Sequence, residues 1–180
     1  LAFYKPVGVT CTERDAHAEK KVTDMIRSKE RVTYAGRLDK DSEGLLIMTN
    51  DGDLIDAMMR GANGHEKEYI VKVDRELTDD FLDHMRKGVF LKELDVTTRP
   101  CEAALIGKYT FRIILTQGLN RQIRRMCETL GYRVKSLKRV RVMNITLGDL
   151  KPGECRKLEA GERDALYPHA SARRRTGRII

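Results

Sequence analysis

Several short segments of the chain alternate between apolar and polar residues, and this period of two predicts β-strands. The clearest example is "EKEYIVKV", in which Tyr69, Val71 and Val73 fall on one face and Ile70 and Lys72 on the other. The segment "LLIMT" does not alternate and is bounded by turn residues, which predicts a strand buried on both faces. Residues 2–4 and the segment "RVTYAG" complete the strands predicted in the first half of the chain.

Two more alternating segments lie in the second half of the chain. "KYTFRIILTQ" predicts a strand whose aligned apolar residues are Tyr109, Phe111, Ile113 and Leu115. In "VKSLKRVRVMN", strict alternation places Val140 and Val142 on one face of a strand. The opposite face is then expected to carry Lys135, Leu137, Arg139 and Arg141.

Apolar positions with a period near 3.6 predict helices, and their ends are marked by capping residues. "NRQIRRMCETLG" spaces its apolar residues at i, i+3, i+4 and i+7, with Asn120 as the expected N-cap and Gly131 as the stop. "TDDFLDHMRKG" is expected to begin after Thr78 and to end at Gly88. Both segments therefore predict compact helices with an apolar face turned to a core.

"NDGDLIDAMM" predicts another helix, which Asp51 or Asp53 can cap. Its apolar stripe consists of Leu54, Ile55, Met58 and Met59. Residues 22–27 are expected to form a short helix inside a polar loop.

The order of these elements, with strands and interspersed helices and no internal repeat, favours one α+β domain. We predict a mixed, largely antiparallel central sheet flanked by helices. At 180 residues, the chain can bury roughly 70% of its unfolded surface, which is enough for a core without disulfides. Residues 1–167 are expected to form this domain, and the basic residues 168–180 a frayed C-terminal tail.

The composition and charge of the chain indicate what kind of partner it binds and in which cellular compartment it is found. The formal charge of +8 favours a polyanion as partner, and nucleic acid is the commonest one for a basic domain. The longest apolar runs have four residues, whereas a membrane-spanning helix needs ~20. The four cysteines form no CxxC pair, which predicts reduced thiols in a cytoplasmic protein and no zinc site. The N-terminus has neither a signal-peptide layout nor an initiator Met, so the chain is expected to begin inside a longer protein.

An acidic cluster of Asp39, Asp41 and Glu43 stands in "GRLDKDSEGLLIMTND", directly before the apolar strand. A calcium loop of the EF-hand type would need a bidentate Glu where the chain has Asn50, which disfavours a metal site. A helix cap is disfavoured because the following segment is a predicted strand, whereas a solvated turn suits Asp41 and Glu43. Asp39 differs from them because it stands beside Arg37 at the exit of an apolar strand, where a carboxylate can be held rigidly at a cleft.

Several motifs in a fixed order resemble those of one bacterial enzyme family. They are "KPVG", "AGRLDKDSEGLLIMTNDGDL", "KEYIVKV" and "QGLNRQIRRMCETLGY". Over residues 3–158 this combination is similar to the RNA pseudouridine synthases of the RsuA/RluB/RluE/RluF type, and it looks most like the RluF branch. The resemblance implies conversion of uridine to its C-glycoside isomer in folded RNA, with no cofactor and no metal. It also implies large-subunit ribosomal RNA as the substrate, with a tRNA loop as a second candidate.

The resemblance assigns roles to single residues. The essential carboxylate of the family falls on Asp39, and the arginine that forms a salt bridge with it falls on Arg124. Tyr69 matches the tyrosine that packs on the target base, and Ile123 matches the apolar residue that closes the pocket from the other side. Arg37 matches the arginine that fills the space vacated when the base is flipped out. Without the resemblance, a solvated charge for Arg124 and a core position for Tyr69 would be the simpler interpretations.

A basic set near the C-terminal motif is expected to bind phosphates of the RNA backbone. Its members are Arg121, Arg125, Lys135, Lys138, Arg139 and Arg141, and the neighbouring Asn120 and Gln122 are expected to contact the substrate. Each of these alone is better explained as a solvated side chain, but together they form a credible binding patch. Lys5 of "KPVG" belongs to a motif of the family, and either an RNA contact or a structural role is expected for it.

Two departures from the family pattern accompany the resemblance. The sequence before "KPVG" does not include the S4-like RNA-binding domain that family members usually carry there, so the chain is expected to be only the catalytic part, and Tyr4 stands where the family often has Asn. A catalytically silent RNA-binding module in ribosome assembly is the main alternative, and a metal-dependent nuclease using the acidic cluster is a third. The intact set of Asp39, Tyr69 and Arg124 favours the enzyme, which is expected to be a monomer.

Overall fold

A mixed sheet forms the centre of the structure, a computed structural model that describes residues 1–12, 21–60 and 64–171. The strands are β1 (Ala2–Lys5), β2 (Thr33–Ala35), β3 (Glu43–Thr49), β4 (Lys67–Val73), β5 (Phe90–Leu91), β6 (Val96–Thr97), β7 (Glu102–Gly107), β8 (Thr110–Leu115), β9 (Val134–Val142), β10 (Ile145–Thr146) and β11 (Cys155–Arg156). The helices are α1 (Val22–Met25), α2 (Gly52–Arg60), α3 (Asp79–Lys87), α4 (Gln122–Thr129) and α5 (Ala160–Ser171).

The strands of the main sheet follow the order β11-β1-β3-β9-β4-β8-β7, while β2 pairs with β3 and β10 with β9. Strands β5 and β6 form a separate two-stranded sheet. The β3–β9 pairing is parallel and the others in the main sheet are antiparallel. The α+β fold with a mixed, largely antiparallel sheet flanked by helices is therefore confirmed.

The parallel β3–β9 pair is a narrow seam between the two halves of the sheet, and it joins Glu43 to Lys138 and Gly44 to Arg139. Gly44 has a φ of 113°, and a Cβ atom at this position would lie 2.2 Å from the carbonyl oxygen of Arg139. Glycine is required here because a side chain would both strain the backbone and collide with β9. Since the loop before β3 carries Asp39, this close approach brings the acidic loop next to β9.

Strand β3 is buried on both faces, as predicted from its unbroken apolar run. Leu45 and Ile47 pack on one side in a cluster that includes Leu54 of α2. Leu46 and Met48 pack on the other side in a second cluster, which contains residues of the N-terminal segment. The loop that precedes β3 is thereby joined to a strand that is packed on both faces.

A third cluster supports the other half of the sheet, where α3 and α4 pack on strands β4 and β8. Phe81 of α3 meets Phe111 of β8 edge to face, with 5.3 Å between the ring centroids. Met126 of α4 is completely buried in the same cluster. Full burial of each such side chain contributes about 1.5–3 kcal/mol. The predicted caps of α3 are confirmed, since Thr78 Oγ1 accepts from the amide of Phe81 at 3.1 Å and Gly88 ends the helix.

A β-bulge changes the faces predicted for β9. Glu68 pairs with Arg141 and Tyr69 pairs with Arg139, so Val140 has no partner on β4. Beyond the bulge, the side chains exchange faces. Arg141 therefore lies on the face opposite to Arg139, and the prediction that one face carries both was wrong.

Two apolar residues are more exposed than predicted. Met59 in α2 is 56% exposed, and Tyr109 precedes β8 in the turn after β7 and is 40% exposed. The predicted apolar faces of both segments are otherwise present, because Leu54 and Phe111 are buried. Asp51 caps α2 as one of its two predicted caps, with Oδ1 accepting from the amides of residues 53 and 54.

Helix α1 is shorter than the predicted 22–27, and α5 continues beyond residue 167, where the tail was expected to begin. The predicted frayed tail lies mostly outside the described residues, as do residues 13–20 of the predicted N-terminal loop. Among the helices that the structure describes, none has the length and the apolar composition needed to cross a membrane.

Candidate active site

The acidic loop, residues 36–42, connects β2 to β3 and carries Asp39 at the edge of a cleft. A tight turn fixes the loop, because the amide of Ser42 donates to the carbonyl of Asp39 at 3.0 Å. The amide of Gly8 in the "KPVG" loop donates to the carbonyl of Lys40 at 2.7 Å and joins the two loops. The carboxylate of Asp39 stays accessible, with 42% of its side chain exposed.

Lys5 is completely buried beneath this pair of loops. Its ammonium donates to the carbonyls of Pro6 at 2.8 Å, Val9 at 2.7 Å and Lys40 at 3.4 Å. Burial lowers the pKa of Lys5 to about 8. Because the ammonium is occupied and out of reach of solvent, the structure supports the structural role predicted for Lys5 and contradicts its assignment to RNA binding.

Arg139 is a second buried cation that supports the acidic loop. Its Nε donates to the carbonyl of Leu45 at 2.9 Å, and its Nη1 donates to the carbonyl of Arg37 at 3.3 Å. It lies on β9 directly opposite Gly44 and is only 3% exposed at the floor of the cleft. The predicted phosphate contact is therefore wrong for this structure, in which Arg139 ties two strands to the loop.

Arg121 connects the acidic loop to the opposite wall of the cleft. Its guanidinium forms a two-pronged ion pair with Asp41, at 3.0 Å and 2.7 Å, and lies 3.8 Å from the carboxylate of Asp39. The hydrogen bond from Arg121 is the main reason why the pKa of Asp41 is lowered. Arg121 also stands at the N-cap of α4 with a φ of 50°, so the prediction of Asn120 as the cap was wrong.

Asn120 instead accepts two hydrogen bonds from Arg125, one through its carbonyl at 3.0 Å and one through Oδ1 at 2.9 Å. Gln122 is buried, and its Oε1 accepts from the amide of Leu119 at 3.1 Å. Both residues thus shape the loop at the start of α4.

Arg124 does not form the predicted ion pair with Asp39. Its Nη2 donates to the carbonyl of Asp41 at 2.9 Å, and its Nε lies 3.6 Å from the Asp41 carboxylate. A longer contact of 3.4 Å joins Nη2 to Oγ of Ser42. Nε is buried without a hydrogen-bond partner, which is a costly arrangement for a charged group. Arg124 therefore acts on the acidic loop rather than on the carboxylate of Asp39 directly.

The cleft lies above the seam of the sheet and has a volume of about 580 Å³. It brings together eight of the predicted site residues: Arg37, Asp39, Tyr69, Asn120, Arg121, Gln122, Ile123 and Arg139. Tyr69 lies on β4 opposite Arg139, and Ile123 faces the cleft from the first turn of α4. An ionisable carboxylate, an aromatic ring and an apolar side chain thus share one concave site.

Six predicted residues do not line the cleft: Lys5, Arg124, Arg125, Lys135, Lys138 and Arg141. Arg141 is bound to Glu66 at 3.0 Å and to the carbonyl of Met143 at 2.7 Å. Lys138 also lies away from Tyr69, on the other face of the sheet, because it pairs with Ile70. The predicted basic patch is therefore divided between two faces of the sheet.

The sequence analysis missed Lys67, Met58 and Met59, which also line the cleft. Lys67 could have been found from the period of two, because it stands two residues before Tyr69 on the same strand. The two methionines reach the cleft from α2, and no pattern in the sequence indicates this.

The carboxylates of the acidic cluster contact different partners. Asp41 holds Arg121, while Oε2 of Glu43 accepts from the hydroxyl of Tyr4 at 3.0 Å. Burial, and to a smaller extent this hydrogen bond, raises the pKa of Tyr4 to about 12. In the described parts of the chain, no group of three or more His, Cys, Asp or Glu side chains is arranged to hold a metal ion.

A family model of RNA pseudouridylate synthases matches residues 1–129 of the chain. The chain is 44% identical over 167 residues to the dual-specificity RNA pseudouridine synthase RluF of Escherichia coli strain K12, covering 93% of this chain and 57% of that protein. It is 36% identical over 167 residues to the ribosomal large subunit pseudouridine synthase B of Bacillus subtilis strain 168, covering 89% of this chain and 68% of that protein.

Solved structures give the same fold. A crystal structure of a pseudouridylate synthase superposes with a TM-score of 0.84 at 24% identity, over 92% of this chain and 72% of that one. The chain spans 57% of the length of the RluF relatives that it matches. The sequence motifs predicted this family and its RluF branch, and the comparisons confirm both. The chain belongs to the RNA pseudouridylate synthase family.

Proposed function

We propose that the chain is the catalytic part of an RNA pseudouridine synthase that isomerises uridine in large-subunit ribosomal RNA. The observation that carries this proposal is the single cleft lined by Asp39, Tyr69 and Ile123, in a chain that belongs to this family. The names of its relatives support ribosomal RNA as the substrate, since one is a large-subunit enzyme and another is called dual-specificity. A tRNA loop is a second candidate substrate.

The reaction is an isomerisation and needs no oxidant or reductant. The bond between N1 of uracil and C1′ of ribose breaks, and a bond from C5 to C1′ forms. The proton on C5 leaves to solvent and N1 takes up a proton, so the composition of the nucleotide is unchanged. An ionised carboxylate can start this sequence as a nucleophile at C1′, as a nucleophile at C6 or as a base at C2′. We assign this step to Asp39, whose carboxylate is exposed at the rim of the cleft.

A uridine in folded RNA must leave its stack before Asp39 can reach it. The cleft offers Tyr69 as a stacking partner for the base, with Ile123 as the facing apolar surface. Stacking of one base on an aromatic ring contributes roughly 1–3 kcal/mol. Arg37 is exposed at the entrance of the cleft, where its side chain can occupy the place of the extruded base.

The cations around the acidic loop position Asp39. Arg121 holds Asp41 across the cleft, and Arg124 holds the carbonyl of Asp41 from α4. Because Asp41 is two residues from Asp39, a shift of either arginine would move the reacting carboxylate. A misplacement of about 1 Å can cost about 10²-fold in rate. We propose Arg124 as a positioning residue, acting through the loop that it binds.

The proposal is tested by incubating the chain with unmodified large-subunit ribosomal RNA, without metal or cofactor. Pseudouridine is then mapped by primer extension after carbodiimide treatment, which stops the polymerase at the modified base. The proposal predicts a new stop at one or a few uridines with the wild-type chain and none with Asp39→Asn. RNA binding without any new stop would favour the silent assembly module instead.

A further inference from the structure

Lys67 is a further cation that lines the cleft. It is the first residue of β4, and it faces the cleft two residues before Tyr69. Alternate residues of a strand share a face and lie about 6.7 Å apart. Strand β4 is paired on both sides, with β8 and β9, so the positions of Lys67 and Tyr69 are fixed relative to each other.

The other cations that line the cleft are either engaged or in solvent. Arg121 is paired with Asp41, and the guanidinium groups of Arg37 and Arg139 donate to backbone carbonyls. Lys40 is exposed. Lys67, in contrast, is partly buried, and among the residues that the structure describes its ammonium has neither a carboxylate within 4 Å nor a hydrogen-bond acceptor.

This position disfavours a charged ammonium that has no counterion. Burial lowers the pKa of Lys67, and the nearby charge of Arg139 lowers it further. An anion bound beside the ammonium would offset both effects. The structure leaves room for one, because Gly118 lies next to Nζ and carries no side chain: a Cβ atom there would be 3.5 Å from Nζ.

The anion that RNA brings to this site is a phosphate. The uracil ring is neutral, so it is a poorer match for an ammonium than a charged phosphate oxygen is. We propose that Lys67 binds a backbone phosphate beside the extruded uridine. This proposal rests on the proposed function and adds to it that one rigid strand, β4, holds both the base, through Tyr69, and its phosphate, through Lys67.

This assignment is tested by RNA binding rather than by turnover. All variants are therefore made in the Asp39→Asn chain, the parent protein, which is expected to bind RNA without modifying it. Its affinity for a fluorescein-labelled oligouridylate is measured by anisotropy over a series of salt concentrations. Lys67→Gln is expected to weaken binding about tenfold, which is the loss of one hydrogen bond to a charged group. It should also reduce the slope of log K against log salt by about 0.7, the value for one phosphate on a single strand.

Two further variants complete the comparison. Lys72→Gln removes a cation from the same strand on its opposite, exposed face, and it should change neither the affinity nor the slope. Lys67→Arg keeps the charge and should keep most of the slope. Thermal unfolding of each variant shows whether a weak binder is also a poorly folded one.

An unchanged slope in Lys67→Gln would overturn the proposal, whether the affinity fell or not, because a neutral contact leaves the salt dependence intact. An equal loss of slope in Lys72→Gln would overturn it as well. If the Asp39→Asn parent bound no oligouridylate, the assignment of Lys67 would fail, whereas the proposed function is tested separately by mapping pseudouridine in ribosomal RNA. If the parent bound normally and Lys67→Gln matched it, only the assignment of Lys67 would fail.

Discussion

Gly44 is the residue on which the seam between the two halves of the sheet depends most directly. In Gly44→Ala, the new Cβ atom would lie 2.2 Å from the carbonyl oxygen and 2.7 Å from the amide nitrogen of Arg139. Both atoms belong to the backbone, so β3 and β9 would have to separate. A left-handed φ costs about 1–2 kcal/mol for a residue with a side chain, and overpacking costs about 1–3 kcal/mol more.

The expected total loss is therefore about 2–5 kcal/mol in the free energy of unfolding. For a chain of this size, that corresponds to a fall of about 10 °C in Tm. Gly148→Ala is the matched control, because Gly148 also has a positive φ, of 56°, but nothing lies within 4 Å of its added Cβ. Only the left-handed strain remains in the control, which predicts a loss of about 1–2 kcal/mol.

Urea unfolding followed by circular dichroism measures both losses under the same conditions. If Gly44→Ala still folds, its turnover should also be lower than that of the wild type. The reason is that a shift of β9 would move Arg139, which donates hydrogen bonds to the carbonyls of Leu45 and Arg37. Equal losses of stability in Gly44→Ala and Gly148→Ala would show that the close approach of β3 and β9 does not limit the residue at position 44, and the reasoning would be refuted.

Substitutions at three other residues separate the roles of the side chains around the cleft. Arg124→Met should reduce turnover about 10²-fold with nearly unchanged RNA affinity, since it loosens the acidic loop, and unchanged single-turnover rates would contradict this. Tyr69→Ala should weaken RNA binding about 10- to 100-fold through lost stacking, while Tyr69→Phe should bind like the wild type in the same titration. Asp41→Asn should cost less than about 1 kcal/mol at pH 7, because its ion pair is largely exposed. Arg121 lowers the pKa of Asp41 from its ordinary 3.8, so this contribution is complete above that pH and is lost as the pH falls through the lowered pKa. Unfolding curves of the wild type and Asp41→Asn should therefore converge in acid.

Local patterns in the sequence predict most of the elements of this fold. The unbroken run before Asn50 indicated a strand buried on both faces, and the clusters around Leu45 and Leu46 confirm it. The bulge at Val140 was not predictable from alternation, because the sequence around it keeps the period of two while the pairing with β4 skips one residue. A single unpaired residue of this kind places Arg141 on the face opposite to Arg139, while Val140 and Val142 still pack in one apolar cluster, as the alternation predicted.

The site was predicted less completely than the fold. The motifs identified Asp39, Tyr69 and Ile123, and the structure places all three in one cleft. They could not show that Lys5 and Arg139 are buried, since a basic residue in a basic sequence looks like a surface charge. Their burial depends on carbonyl groups that are remote in sequence, and such acceptors leave no local pattern.

Which of the arginines at the start of α4 contacts Asp39 could not be predicted from the sequence either. Arg121 and Arg124 are separated from the acidic loop by about 80 residues, and which of them meets Asp39 depends on the left-handed turn at Arg121. In the structure, Arg121 is the nearer cation, at 3.8 Å from the Asp39 carboxylate. The family motif predicted Arg124 there, so the geometry corrects the partner while the catalytic importance of Arg124 stays a prediction.

The central claim, that Asp39 is the reacting carboxylate of a pseudouridine synthase, is tested most directly by release of the proton on C5. Large-subunit ribosomal RNA labelled with tritium at C5 of uridine is incubated with the wild type, Asp39→Asn and Asp41→Asn, and the tritium released to water is counted. We expect release by the wild type, measurable release by Asp41→Asn and none by Asp39→Asn, although all three bind the RNA. Release by Asp39→Asn at the wild-type rate would contradict this claim.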